Sequence, residues 1–185
     1  MKPIGKPVRK IVRKEVRDNF RNLAVVALLV VLSATVVVAQ SDARKSFDLL
    51  KGLEGSWAGT NSQGQPVEVK FRMTAGGSAL MSEIVPHGPN KDTSENMITM
   101  FHMDGDRLLV THYCGAGNQP RMKVIRSDAK SVSFEFMDGT NIAPGDGHMQ
   151  RLTLSLPDAD HHTEEWVFLD HGKEHQEVFT LARAK

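Results

Sequence analysis

An all-β domain is the fold class this sequence predicts: about ten antiparallel strands closed into an up-and-down barrel, with a short N-terminal plug helix behind a signal or anchor helix. Three observations predict it. From Trp57 onward apolar residues alternate with polar ones at period two. The apolar runs are short and are separated by Gly, Asn, Asp and Pro, often as tight turns such as Asp104-Gly105-Asp106 and Asp170-His171-Gly172. A meander of that many strands exposes two unpaired edges unless the sheet closes on itself.

Residues 1–39 do not share this pattern. Leu23 to Val38 carries no charge, and eight Lys or Arg against Glu15 and Asp18 precede it. That positive excess holds the N-terminal side in the cytoplasm and sends the rest of the chain across a membrane. A run of about 16 residues rises about 24 Å as a helix, short of the roughly 30 Å hydrocarbon core and closer to a signal-peptide h-region. Val37 and Ala39 offer small residues to a signal peptidase, so cleavage before Gln40 is the first expectation. An uncleaved signal anchor, or a translation start near Val16, are the alternatives. The expected address is periplasmic or secreted, or the inner membrane with the domain outside the cytoplasm. The membrane is touched only through residues 23–38, and only if they stay attached.

Residues 40–185 make the barrel domain. Ser41 or Asp42 caps a short helix in which Phe47, Leu50 and Leu53 recur at helical spacing until Gly55 stops it. Val67, Val69, Phe71 and Met73 then alternate with polar residues, and further strands are expected over 78–85, 97–103, 107–114, 121–126, 131–136, 149–156, 163–169 and 174–182. With the Trp57 strand these make about ten. The stretches 86–96 and 138–148, rich in Pro, Gly, Asn and Asp, read as loops framing a mouth.

Removal of residues 1–39 leaves 15 basic against 20 acidic residues. The scattered basic residues of an acidic domain exclude a nucleic-acid-binding face. A lone cysteine, Cys114, forms no internal disulfide, so the fold rests on its core.

Gly55-Ser56-Trp57-Ala58-Gly59 resembles the first strand of lipocalin-like barrels, the calycin group that includes fatty-acid-binding proteins and nitrobindins. The resemblance implies that Arg183, near the end of the last strand, packs over Trp57 and closes one end of the barrel. About ten strands look more like the nitrobindin type, although Asn61 stands where such chains tend to have a third glycine and no position matches their haem-ligating histidine. The segment from Thr111-His112-Tyr113-Cys114 to Gly117-Asn118-Gln119-Pro120-Arg121-Met122 is similar to exported bacterial proteins with the same barrel-like pattern, which implies a fold and an address.

His112 and Cys114 alternate onto one strand face, and the chain turns through 115–118 into Arg121. If that face is the lumen, His112, Cys114 and Arg121 form a small polar patch that orients a buried ligand. Ordinary packing of His112 and Cys114 is the alternative. Eight methionines in the domain, Met100 and Met122 among them, suit an adaptable apolar pocket, or else pad a loosely specified core. His161, His162, His171 and His175 read as a solvated histidine-rich hairpin rather than a zinc site, since four-residue spacing does not converge on strands. No cofactor is expected, with haem left open through His175 as an axial ligand. Glu164, Glu165 and Glu177 show no acid–base spacing. The expected partner is therefore a small, mostly apolar molecule held in the lumen. The alternatives are a lumen enzyme using His112 with Cys114 or Arg121, and an envelope interaction protein with a filled barrel.

Overall fold

The structure is a computed structural model and describes residues 42–86 and 96–185. The signal or anchor segment, and most of the loop expected over 86–96, lie outside the described residues. Residues 42–51 form helix α1. Ten strands follow: β1 Gly55–Thr60, β2 Pro66–Thr74, β3 Ala79–Pro86, β4 Met97–Asp104, β5 Arg107–Tyr113, β6 Gln119–Ser127, β7 Ser131–Thr140, β8 His148–Ser155, β9 His161–Asp170 and β10 Lys173–Arg183. Each pairs antiparallel with its neighbour in sequence, and β1 pairs with β10, so the sheet closes and leaves no edge.

The helix plugs one end because its apolar face is Phe47, Leu50 and Leu53, all essentially buried in the same core as the strands. It ends by tightening: Gly52, Leu53 and Glu54 donate to carbonyls three residues back. Gly55 then turns at φ 131°, a region open to glycine, and a Cβ there would lie 2.8 Å from Arg183 Nη1. Gly59 has a different reason. A Cβ on it would sit 1.9 Å from the Thr180 carbonyl oxygen, so β1 and β10 approach closely only because this position has no side chain.

Alternation sorts the faces. On β2 Val67, Val69 and Phe71 point inward and Glu68, Lys70 and Arg72 outward, as the burial pattern shows. Three irregularities interrupt it, between Arg121 and Met122, between Val124 and Arg126, and between Met149 and Arg151, each placing two residues opposite one. Towards the plug, inward side chains such as Leu80, Leu108, Val132, Leu154 and Leu181 are almost wholly buried. Phe71, Phe101 and Phe134 fill the middle, with ring centroids 6.5 Å and 5.9 Å apart. Towards the other end, the mouth, the inward side chains of Met97, Phe136, Met149 and Phe168 are only half-buried.

Two expected wall residues are placed elsewhere. Met100 lies between inward Thr99 and Phe101 on β4, so it stands on the outer face, beside Met81 of β3. Arg121 also points outward and forms a two-pronged ion pair with Asp138 of β7. Met122 does face inward and is fully buried against the core. The last hairpin is not uniformly solvated either, because His162 is 1% exposed while His161 on the other face is exposed.

Candidate functional site

At the plug end Trp57 donates its Nε1–H to the Leu53 carbonyl at 2.7 Å. The Arg183 guanidinium lies 4.2 Å from the ring centroid and donates to the Glu54, Gly52 and Ala159 carbonyls. Strand register brings the pair together, since Trp57 and Arg183 are partners across β1 and β10. One arginine thus ties α1, the first strand, the last strand and the β8–β9 turn.

The interior carries a polar row on its inward face. Ser82, Thr99 and His112 are register partners across β3, β4 and β5. All three are essentially inaccessible. Thr99 Oγ1 lies 2.8 Å from His112 Nδ1, which fixes the ring. His112 Nε2 and Ser82 Oγ, in contrast, have no partner among the described residues. Burial pushes the His112 pKa from 6.5 down to about 4, so the ring is neutral near pH 7. A neutral imidazole offers one donor and one acceptor, and the Thr99 hydroxyl can serve either nitrogen state, so Nε2 can present the complement of whatever meets it.

From β9 a second polar group reaches towards this row. The Trp166 ring lies 4.9 Å from that of His112. Trp166 Nε1–H donates to Glu164 Oε2 at 2.9 Å, and Glu164 Oε1 is 3.2 Å from His162 Nε2. His162 in turn packs edge-to-face with Trp57, at 4.3 Å between centroids, and its Nδ1 has no partner among the described residues. A chain of contacts therefore runs across the barrel from Thr99 to Trp57. Of these residues the sequence points only to His112 and Trp57 as groups inside the barrel; Ser82, Thr99, Glu164 and Trp166 were missed. The signal that would have found β9 is the His162, Glu164, Trp166 spacing of two, which puts all three on one strand face.

Cys114 follows β5 on the His112 side and is half-buried at the mouth. Burial pushes its thiol pKa up, a shift only partly opposed by the Ala116 backbone N–H. That is the opposite of an activated nucleophile. His175 is exposed on β10, in register with Phe168. Gln119 donates to the Gly117 carbonyl within its own turn, whereas Asn118 reaches a different loop and donates to the Gly147 carbonyl at 2.8 Å.

No family model matches the chain, and no curated protein does. Among solved structures, a redesigned beta barrel is similar over 73% of this chain and 94% of its own, at 14% identity and a TM-score of 0.38. The barrel itself is defined by the strand pairing described above, which makes the described residues a closed ten-stranded antiparallel β-barrel with helix α1 before its first strand.

Proposed function

We propose that this chain is an exported, calycin-like carrier that holds a small, mostly apolar molecule in the mouth half of its barrel and orients it through His112. The observation that carries this reading is His112 Nε2, a buried polar atom on the inward wall with no partner among the described residues, in a ring already fixed by Thr99. A buried polar atom left unpaired costs about 1–3 kcal/mol, so a fold that retains one has a use for it. The half-buried, inward-facing Met97, Phe136, Met149 and Phe168 supply apolar and adaptable surface above it. The Trp57–Arg183 closure supports the calycin character.

The enzyme reading loses two of its three groups. Arg121 is outside, and the Cys114 thiol is held in its neutral form by burial. The interaction reading needs an apolar outer patch, and among the described residues the large exposed hydrophobics are Tyr113, at the mouth end of β5, and Ile125, at the plug end of β6.

The test is native mass spectrometry of the chain expressed with its own N-terminus in a bacterial host, followed by titration with a fluorescent fatty acid. Cleavage before Gln40 and a copurifying apolar mass are expected, with fatty-acid affinity about tenfold weaker in His112→Leu and unchanged in Arg121→Ala. An empty protein that takes up no fatty acid would overturn the carrier reading. A Soret band with hemin that is lost in His175→Ala would replace the fatty ligand by haem.

A further inference from the structure

Three turns meet at the mouth, and they come from distant parts of the chain: 114–118 between β5 and β6, 141–147 between β7 and β8, and 171–172 between β9 and β10. They enclose a hollow of about 430 Å³ lined by Asn118, Asn141, Asp146 and Asp170, with Gly147 and Phe168 at its side. None of the lining residues is a lysine or arginine. Among the described residues, neither Asp146 nor Asp170 forms an ion pair with a lysine or arginine. Asp146 Oδ2 accepts the Ala143 backbone N–H at 2.7 Å, and Asp170 Oδ1 meets the exposed His171 ring.

Two carboxylates side by side would not by themselves make a site. The independent observation is Asn118. It is 2% exposed, its Nδ2 is committed to the Gly147 carbonyl, its Oδ1 has no donor among the described residues, and the residue is one of those that line the hollow. An amide oxygen in that position lacks the one thing a cation supplies, positive charge at oxygen-bonding distance. The backbone is also drawn in. A Cβ at Gly147 would lie 2.6 Å from the Phe168 ring and 3.2 Å from Asp170 Oδ1, so only glycine lets the 141–147 turn come this close to Asp170.

We propose that this hollow is a divalent-cation site of calcium type, with Asp146, Asp170 and the Asn118 Oδ1 as its protein oxygens and water completing the shell. No three carboxylate, imidazole or thiolate groups converge among the described residues, so the site rests on two carboxylates and neutral oxygens. That donor set excludes zinc and copper, which take nitrogen or sulfur, and suits a hard cation. The oxygens come from two turns and the end of β9, an irregular set that calcium, with its variable coordination, tolerates better than magnesium with its strict octahedron. Binding would staple three hairpin ends at the mouth. It is independent of the carrier reading, because no residue of the interior row takes part.

Isothermal titration of the full chain with calcium chloride alone tests it. A dissociation constant of about 10⁻⁴–10⁻³ M is expected, the range of weak oxygen sites, with a melting temperature that rises with calcium. Asp146→Asn and Asp170→Asn keep an oxygen acceptor for the local hydrogen bonds, and each should weaken binding about tenfold or more. Asp104→Asn, at the plug end in an ion pair with Arg107, should change nothing. No heat at millimolar calcium, binding undiminished in both variants, or equal affinity for magnesium would each overturn the proposal.

Discussion

The Arg183 guanidinium lies 4.2 Å from the centroid of the Trp57 ring, and this contact joins the last strand of the barrel to the first. The same arginine donates to three backbone carbonyls, of Gly52, Glu54 and Ala159, between α1, β1 and the β8–β9 turn. It holds a place where the closed sheet and its plug meet.

Arg183→Ala should therefore destabilise the domain by about 1–3 kcal/mol, the loss of a stacked cation plus charge-assisted hydrogen bonds at a side chain only 31% exposed. Arg183→Lys should recover only part of that, because an ammonium lacks the planar fork that reaches several carbonyls. Urea denaturation followed by tryptophan fluorescence measures both.

Thr99→Val keeps the shape of the wall but removes the hydroxyl partner of His112 Nδ1. A cost of about 1–3 kcal/mol is expected, with Thr99→Ser close to the parent protein because it retains the hydroxyl. The urea midpoint shows the difference directly.

His112 makes stability depend on pH in a defined window. Its pKa is about 4 in the folded chain against the ordinary 6.5, so between those values the unfolded chain binds the extra proton and the folded one does not. Stability from this group is complete above about pH 6.5, falls as the pH drops towards 4, and changes by about 3 kcal/mol across the window. His112→Gln should flatten that part of the curve relative to the parent chain, as read from urea midpoints between pH 4 and 7.

The Cys114 thiol should titrate above the same cysteine in the unfolded chain, because burial disfavours the thiolate. Iodoacetamide alkylation followed across pH, with and without urea, is expected to rise at lower pH in urea. Early alkylation of the folded protein would instead revive the nucleophile reading.

Gly59→Ala should be among the most damaging single changes, since the new methyl would meet the Thr180 carbonyl oxygen at 1.9 Å and the barrel seam would have to open. A loss of more than about 4 kcal/mol, or no folded protein, is expected by circular dichroism.

Much of the fold was legible in the sequence because period-two alternation and turn residues are local signals. Ten strands, their order, the plug face of Phe47, Leu50 and Leu53, and the turns at Asp104–Asp106 and Asp170–Gly172 all follow from neighbours along the chain. The site was legible only in part. In β4 the apolar residues Met97, Ile98, Met100, Phe101 and Met103 run almost without alternation, so nothing local says that Met100 faces out while the polar Thr99 faces in. Arg121 follows a turn and precedes an irregular pairing, and a one-residue difference in register there moves a side chain to the opposite face.

By itself the sequence determined that this is a β domain with a helix at its start, and that Trp57 and Arg183 stand where the ends of a closed sheet can meet. Only the tertiary structure decided which polar residues share the interior. His112 on β5 and Trp166 on β9 come within 4.9 Å because the sheet curves round and closes, and Asn118, Asp146 and Asp170 line one hollow only because distant strand ends converge at one rim. Local alternation assigns a side chain to one of two faces. Closure decides which face is the inside, and what lies across it.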